Sequence, residues 1–223
     1  MKHFWENPFF SISVLLFFVA GFALATWVPH GHDILFFNEL RTEPLNSFFR
    51  FCTLLGEAWA YVVLGVGAFF VRYRFAMLIA LTGLLVMPIS YVLKDQIGHD
   101  RPITWFEQRQ MRDQLVLVPA VELASGRTSF PSGHTMAAFA LFSVVTMLLP
   151  RRLAWLGLLT AYTAVLVAVS RIFLVQHFLV DVLAGAAVGL GVSLLALQIS
   201  RMAWFQNLDF LDKSLLHRDL PKG

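Results

Sequence analysis

Long apolar segments are the feature that most constrains the fold of this chain. A helix that crosses a bilayer needs about 20 mostly apolar residues, and six stretches approach that length: Phe9–Val28, Leu54–Val71, Phe75–Leu93, Thr135–Leu149, Leu153–Val169 and Phe178–Ile199. Only 14% of the 223 residues are charged, against roughly 25% in a soluble domain. Because backbone polar groups in hydrocarbon must be satisfied within their own segment, the pattern predicts an all-α integral membrane protein with six transmembrane helices in a bundle.

The first segment permits a second interpretation. Lys2, the apolar run and Ala23-Leu24-Ala25 are also typical of a secretory signal with its cleavage site. The run continues through Trp27, and a tryptophan near a segment end suits an interfacial anchor, which favours a retained helix. We interpret residues 1–223 as a single membrane-embedded domain.

Positive charge in the short loops predicts the orientation. The positive-inside rule makes the side with more lysine and arginine cytoplasmic. The residues that fall on that side are Lys2, Arg72, Arg74, Arg151, Arg152, Arg201, Lys213, Arg218 and Lys222. Both termini are then predicted to be cytoplasmic, and the stretches 29–53, 94–133 and 170–177 to face outward. Small size and short loops favour a bacterial inner membrane. The net charge of +3 is explained by this distribution, so we expect a lipid bilayer as partner and no nucleic acid.

Three polar clusters lie on the predicted outer side, each at the end of an apolar segment. They are Lys94 to Pro102, Ser129 to His134, and Ser170-Arg171 with His177 and Asp181. Basic residues at segment ends usually reach toward lipid headgroups, and an isolated His-x-x-x-Asp pair is usually a local contact. The occurrence of all three clusters at one membrane face indicates a shared site instead.

Three cations and one helix start in these clusters suit a phosphate. Arg101 and Arg171 present planar donor forks that match phosphate oxygens, and Lys94 adds a compact charge. Ser132-Gly133 stands at a predicted helix start, where free N–H groups and the helix dipole favour an anion. Glycine also lets the backbone approach closely.

Two histidines supply the chemistry. If the sixth helix begins just before His177, then His177 and Asp181 lie on one helix face, and the carboxylate fixes the tautomer and leaves the other ring nitrogen free to attack. His134 is available to protonate a leaving oxygen. No aspartate cluster or His-Glu set with ligand spacing accompanies these motifs, so we expect neither a metal nor another cofactor.

In these motifs the sequence resembles the type 2 phosphatidic acid phosphatase family of integral membrane lipid phosphatases. That family's signature is a lysine, six residues and Arg-Pro; then Pro-Ser-Gly-His; then Ser-Arg, five residues, a histidine, three residues and an aspartate. The matching positions are Lys94 to Arg101-Pro102, Pro131 to His134, and Ser170-Arg171 to His177 to Asp181. The resemblance covers about residues 75–199.

The resemblance implies a six-helix fold with its active site at the outer (periplasmic or extracellular) face, and a two-step, metal-independent phosphate hydrolysis. It implies that His177 attacks phosphorus to form a phosphohistidine, that Asp181 orients His177, and that His134 protonates the departing lipid oxygen and then helps to activate water. The residues implied to hold the phosphate oxygens are Lys94, Arg101, Ser132, Gly133 and Arg171. The substrate would be a lipid phosphate or diphosphate, such as undecaprenyl diphosphate, phosphatidic acid, phosphatidylglycerophosphate or a lipid A phosphate.

Other functions stay open at this point. A phosphotransferase on the same scaffold would pass the phosphoryl group from His177 to another lipid. A vanadate-dependent haloperoxidase shares the phosphate-binding motifs, but those enzymes are soluble. A silent binding or transport protein would be expected to lose a catalytic histidine, and both are present. Glu57 and the loop 103–128 have either functional or structural roles, and no obligate protein partner is indicated.

Overall fold

The computed structural model describes residues 3–216, which form ten α-helices and four short 3₁₀ helices. The α-helices are α1 (Pro8–Trp27), α2 (His32–Asn38), α3 (Glu43–Leu54), α4 (Ala58–Phe69), α5 (Tyr73–Ile97), α6 (Pro102–Gln108), α7 (Gly133–Leu148), α8 (Leu156–Phe173), α9 (Leu179–Ser200) and α10 (Ala203–Gln206). Lys2, Arg218 and Lys222, which contribute to the predicted orientation, lie outside the described residues.

Four helices in the described range are long and apolar enough to cross a membrane. They are α1, α5, α8 and α9, with the α5 span extending into α6, and the bent pair α3 and α4 would make a fifth. The outward side chains of α1 include Leu15, Leu16 and Val19, each more than half exposed, as expected of a surface that meets lipid. The chain is therefore a multi-pass integral membrane protein, with length and composition supporting up to five of the six predicted spans.

The remaining predicted span, α7, is the central helix of the bundle. Its sixteen residues extend only about 24 Å at 1.5 Å per residue, less than a typical hydrocarbon core of about 30 Å. Twelve of the sixteen are buried, among them Ser143 and Thr146, which donate to the carbonyls of Phe139 and Phe142. A helix enclosed on all sides need not match the bilayer thickness, because its neighbours cover it.

A seam of small residues brings α9 very close to α7. A Cβ atom added at Gly185 would lie 2.5 Å from the carbonyl oxygen of Ser132, and one added at Gly189 would collide with that of Met136. The two glycines are four residues apart and so share one face of α9. Small residues at this spacing allow membrane helices to pack backbone to backbone, and here they fix the start of α9 against the start of α7.

The second predicted segment is interrupted near its start. In place of one helix over Leu54–Val71, α3 ends at Leu54, α4 begins at Ala58, and the two are bent by 59°. Gly56 lies in the bend, where an added Cβ would be 2.8 Å from the backbone oxygen of His134. The bend therefore rests directly on the first turn of α7.

Four helix ends meet at one end of the bundle, which we call the site end: the C-termini of α5 and α8 and the N-termini of α7 and α9. Gly98 terminates α5 with φ +60°, a left-handed conformation that glycine adopts at little cost. The chain then turns back through α6 and the segment to Phe130, and Ser129 N–H donates to the His99 carbonyl at 3.0 Å. These turns bring the three polar clusters of the sequence together.

Candidate active site

The three motifs are adjacent in space at the site end. The position that a Cβ of Gly133 would take is 3.5 Å from Lys94 Nζ, which joins the first motif to the second. The backbone N–H of Ser132 donates to the carbonyl of Asp181 at 2.9 Å, which joins the second to the third. All eight predicted site residues belong to these motifs: Lys94, Arg101, Ser132, Gly133, His134, Arg171, His177 and Asp181.

His177 is not on the sixth predicted helix. That helix, α9, begins at Leu179 with Phe178 as its N-cap, so His177 lies in the preceding turn, where its N–H donates to the Arg171 carbonyl at 3.2 Å. The condition for the two side chains to share a helix face, a helix that begins just before His177, is therefore not met. The two side chains nevertheless approach, with 3.7 Å between Nδ1 of the ring and Oδ2 of the carboxylate.

Ser129 links this histidine to this aspartate. Its hydroxyl donates to Asp181 Oδ2 at 2.6 Å and lies 3.4 Å from His177 Nδ1. The same carboxylate oxygen accepts the N–H of Phe178 at 2.9 Å. Ser129 and Asp181 are fully buried, and His177 is nearly so. The carboxylate is thus fixed by two donors beside the ring.

The partners of His177 define its tautomer. Nη1 of Arg101 lies 3.2 Å from Nε2 of the ring and also donates to the carbonyl of Gln176 at 2.9 Å. Arginine has only donors, so Nε2 is the acceptor, and a neutral ring carries its proton on Nδ1, toward Asp181. Burial lowers the pKa of His177, and Arg101 and Arg171 add to this effect against the opposing influence of Asp181. At neutral pH the ring is therefore neutral, and its Nε2 lone pair accepts from Arg101.

The second buried guanidinium belongs to Arg171, in the last turn of α8. Its Nη1 donates to Thr53 Oγ1 at 2.5 Å, while its buried Nε has no hydrogen-bond partner within the described part of the chain. A buried donor without a partner is costly. A phosphate oxygen would satisfy such a donor.

Ser132 and Gly133 form the N-cap and first residue of α7, as predicted. The Ser132 hydroxyl is bonded to Thr135 Oγ1 at 2.9 Å. The first N–H groups of a helix have no partner within the helix, and together with the dipole they make this end of α7 attractive to an anion.

A pocket of about 490 Å³ lies beside this cluster. Two of the eight predicted site residues, His134 and Arg171, line it, and the other six do not. The rest of its lining comes from α3, the loop before α7 and the turn after α8: Arg50, Phe51, Thr53, Leu54, Ala120, Val121, Glu122, Leu174 and Gln176. A larger cavity of about 1050 Å³ lies between α1, α2 and α8, but none of the motif residues line it. The smaller pocket is therefore the one that adjoins the candidate active site.

Loop 103–128 is packed onto the site end and is not solvated along its whole length. Ile103, Phe106, Leu115 and Val118 are buried, and the Glu122 carbonyl accepts from the Gln176 side chain at 2.9 Å. The loop therefore forms one wall of the pocket.

Sequence reasoning missed Ser129 and Thr53 and left Glu57 open. Ser129 belongs to the second polar cluster, three residues before Ser132, but only tertiary packing shows that its hydroxyl faces Asp181. Thr53 carries no sequence signal. Glu57 Oε1 lies 3.6 Å from His134 Nε2, and the signal that pointed to it was a carboxylate at the end of an apolar segment. Over residues 3–216, no group of three or more His, Cys, Asp or Glu side chains is arranged to hold a metal ion.

The sequence is similar to a known protein family and to individual proteins within it. Residues 69–205 match the profile of the PAP2 superfamily. The chain is 32% identical over 143 residues to phosphatidylglycerophosphatase B of Bacillus subtilis, covering 58% of this chain and 60% of that relative, which is less than two thirds of its length. It is 29% identical over 165 residues to undecaprenyl-diphosphatase of Sulfolobus acidocaldarius, covering 73% of each.

Two solved structures are similar as well. LpxE of Aquifex aeolicus gives a TM-score of 0.57 at 25% identity, over 74% of this chain and 92% of that one. The transmembrane PAP2-type phosphatidylglycerolphosphate phosphatase of Bacillus subtilis gives 0.59 at 25% identity, over 85% and 94%. The fold is that of a multi-pass helical membrane protein whose three polar motifs meet at one end of the bundle. The chain belongs to the PAP2 superfamily.

Proposed function

We propose that this protein is a metal-independent phosphatase that hydrolyses a membrane lipid phosphate or diphosphate through a phosphohistidine on His177. The observation that carries the proposal is the arrangement around that ring. Arg101 faces Nε2, and Asp181 and Ser129 face Nδ1. The ring is thus a neutral nucleophile with a buried counter-charge behind it and donors for phosphate in front of it.

In the first step, the phosphate occupies the space between Arg101, Arg171, Lys94 and the start of α7. Its oxygens accept hydrogen bonds from these donors, which offset the charge that develops in the transition state. As the N–H of Arg101 turns from Nε2 of His177 to a phosphate oxygen, the Nε2 lone pair attacks phosphorus and forms an N–P bond. The P–O bond to the lipid breaks as His134 transfers a proton to the departing oxygen.

In the second step, water attacks the phosphohistidine. His134, now neutral, accepts a proton from that water, the N–P bond breaks, and its electron pair returns to Nε2. Asp181 balances the positive charge of the ring while the phosphoryl group is attached. Phosphate leaves and the starting protonation states are restored.

The membrane location and the relatives support the proposed substrate class. One relative is named for phosphatidylglycerophosphate and another for undecaprenyl diphosphate. Each of these two substrates is a lipid that carries its phosphate at the membrane surface. A pocket that adjoins helix ends suits a headgroup at the interface. We therefore propose a lipid phosphate of this kind, with phosphatidic acid and lipid A phosphate as further candidates.

A phosphate-release assay tests the proposed function. Purified protein is given the four candidate lipids in separate reactions, in excess chelator and without an acceptor lipid, and the His177→Gln variant is the control. Release from at least one lipid by the wild type alone is expected. If activity appears only when an acceptor lipid is added, the protein is a phosphotransferase, and if only magnesium restores activity, the mechanism is not metal-independent.

We further propose that the site end faces outward and that the termini are cytoplasmic, in a bacterial inner membrane. The single cysteine, Cys52, is buried, so a Cys52→Ala background permits labelling of introduced cysteines. Ser125 at the site end and Arg151 after α7 are both exposed. We expect an impermeant maleimide to label Ser125→Cys in intact cells, and Arg151→Cys only after permeabilisation. The reverse pattern would place the site in the cytoplasm.

A further inference from the structure

We propose that Glu57 is a positioning residue for His134. Its carboxylate orients the imidazole and supplies the negative charge that the ring needs while it carries the proton for the departing lipid oxygen. The inference rests on the proposed phosphatase function and adds a residue to it that lies outside all three motifs.

The local structure leaves Glu57 free of a helix-capping role. It is the N-cap of α4, in an extended conformation, and its side chain makes no capping hydrogen bond. Side chains that cap helices are typically those of Ser, Thr, Asp and Asn. The Glu57 side chain instead places Oε1 3.6 Å from Nε2 of His134.

Packing of the neighbouring residue fixes this placement. A Cβ atom added at Gly56 would lie 2.7 Å from a methyl carbon of Val167 and 2.8 Å from the carbonyl oxygen of His134. Only glycine therefore fits where the bend between α3 and α4 closes on α7 and α8. The next residue in the chain is then held beside the His134 ring.

The charges around His134 explain why a carboxylate is needed there. Burial lowers the pKa of His134 to about 3, and Arg171 from α8, His177 from the turn before α9, Lys94 from α5 and Arg101 from the N-cap of α6 lower it further. All of these are cations or can become cations. A proton on His134 gives the ring a positive charge that such neighbours repel. The carboxylate of Glu57 from α4 offsets that repulsion.

The geometry also assigns the two ring nitrogens of His134. Nε2 faces Glu57 and keeps its proton throughout, so Nδ1 exchanges the catalytic proton. Nδ1–H gives its proton to the lipid oxygen as the P–O bond breaks, which leaves a neutral ring. Nδ1 then accepts the proton of the attacking water in the second step, and Glu57 remains a carboxylate in both steps.

Leaving-group dependence tests this role. A nitrophenolate departs without protonation, whereas a lipid alkoxide needs an acid. For Glu57→Gln we expect kcat/KM on a lipid phosphate to fall about tenfold or more, which is a fraction of what a general acid contributes. We expect kcat/KM on p-nitrophenyl phosphate to change by less than about twofold, because its leaving group needs no acid. The alkaline limb of the lipid phosphate pH profile should move to lower pH, and Glu57→Asp, which keeps the charge, should restore part of that shift.

The control is Glu107→Gln, which removes an exposed carboxylate that pairs with Arg112 at 3.7 Å outside the pocket. It should behave as wild type on both substrates. Equal losses on both substrates with an unmoved pH profile would show a structural role and overturn the proposal, as would an unchanged rate on the lipid phosphate. A wild type that hydrolyses no lipid phosphate contradicts the proposed function itself, which separates the two failures.

Discussion

Replacing His177 with alanine or glutamine is expected to reduce turnover by about 10⁴-fold or more, as removal of a nucleophile does in other enzymes with covalent intermediates. The Nε2 atom of His177 lies 3.2 Å from Nη1 of Arg101, where the phosphate is proposed to bind. The measurement is the initial rate of phosphate release from a lipid phosphate in detergent. The glutamine variant retains most of the side-chain volume, so it separates loss of the nucleophile from a packing defect.

The matched control is His32→Ala, because His32 is an exposed histidine at the start of α2 that does not line the smaller pocket. It should keep wild-type activity. Thermal unfolding in detergent must show that both His177 variants are folded. If a folded His177 variant retained more than about a tenth of wild-type turnover, against the loss expected of a nucleophile, His177 would not form the covalent bond.

Replacing Asp181 with asparagine is expected to lower turnover by about 10²-fold or more; the comparable Asp-to-Asn change in a serine hydrolase, an established example, costs about 10⁴. An asparagine oxygen can still accept from Ser129 and from the Phe178 N–H, so the turn before α9 should be retained. The negative charge that balances the phosphorylated ring is lost. The amide can also present its NH₂ to the ring and favour the wrong tautomer.

Asp100→Asn is the control for this change. Asp100 belongs to the first polar cluster, and its carboxylate pairs with Arg127 at 3.7 Å. It should retain near wild-type turnover. The double variant His177→Ala with Asp181→Asn should be little worse than His177→Ala alone, because residues that act as one unit are not additive. Full activity in a folded Asp181→Asn protein would leave His177 in need of another orienting partner.

The grouping of the three clusters was predictable because membrane topology is restrictive. Each cluster adjoins the end of an apolar segment, and alternate segment ends lie at the same side of a bilayer. Lys94, Ser132 and Arg171 therefore had to share one end of the bundle. The start of α7 was also predictable, because Pro-Ser-Gly followed by an apolar run is typical of a helix N-terminus.

The details of that site depend on tertiary packing. The sixth apolar segment is predicted to begin at Phe178, and a helix that began just before His177 would have placed His177 and Asp181 on one face. The N–H of His177 is instead bonded to the carbonyl of Arg171, Asp181 accepts the N–H of the N-cap Phe178, and the helix begins at Leu179. A helical pattern gives element boundaries only to within a few residues, and here that margin decides whether the histidine lies on the helix or before it.

The number of spans shows a similar limit. The apolar run from Thr135 to Leu149 predicts a helix correctly, but hydrophobicity does not distinguish a helix that faces lipid from one enclosed by neighbours. The seam formed by Gly185 and Gly189 packs α9 against α7. The sequence alone does not distinguish these two glycines from glycines that make no close contact. The carboxylate of Glu57 approaches His134 for the same kind of reason, through a bend at Gly56.

Trapping the covalent intermediate tests the central proposal most directly. Wild-type protein is mixed with a lipid labelled in its phosphate, quenched in base within the first turnover, digested and analysed by mass spectrometry. The account predicts a phosphoryl group on His177 that is stable in base and labile in acid. The label should be absent from His177→Gln. It should accumulate in His134→Ala if loss of the base slows hydrolysis of the phosphohistidine more than its formation. Label on another residue, or phosphate release at the full rate with no protein-bound label in the first turnover, would contradict it.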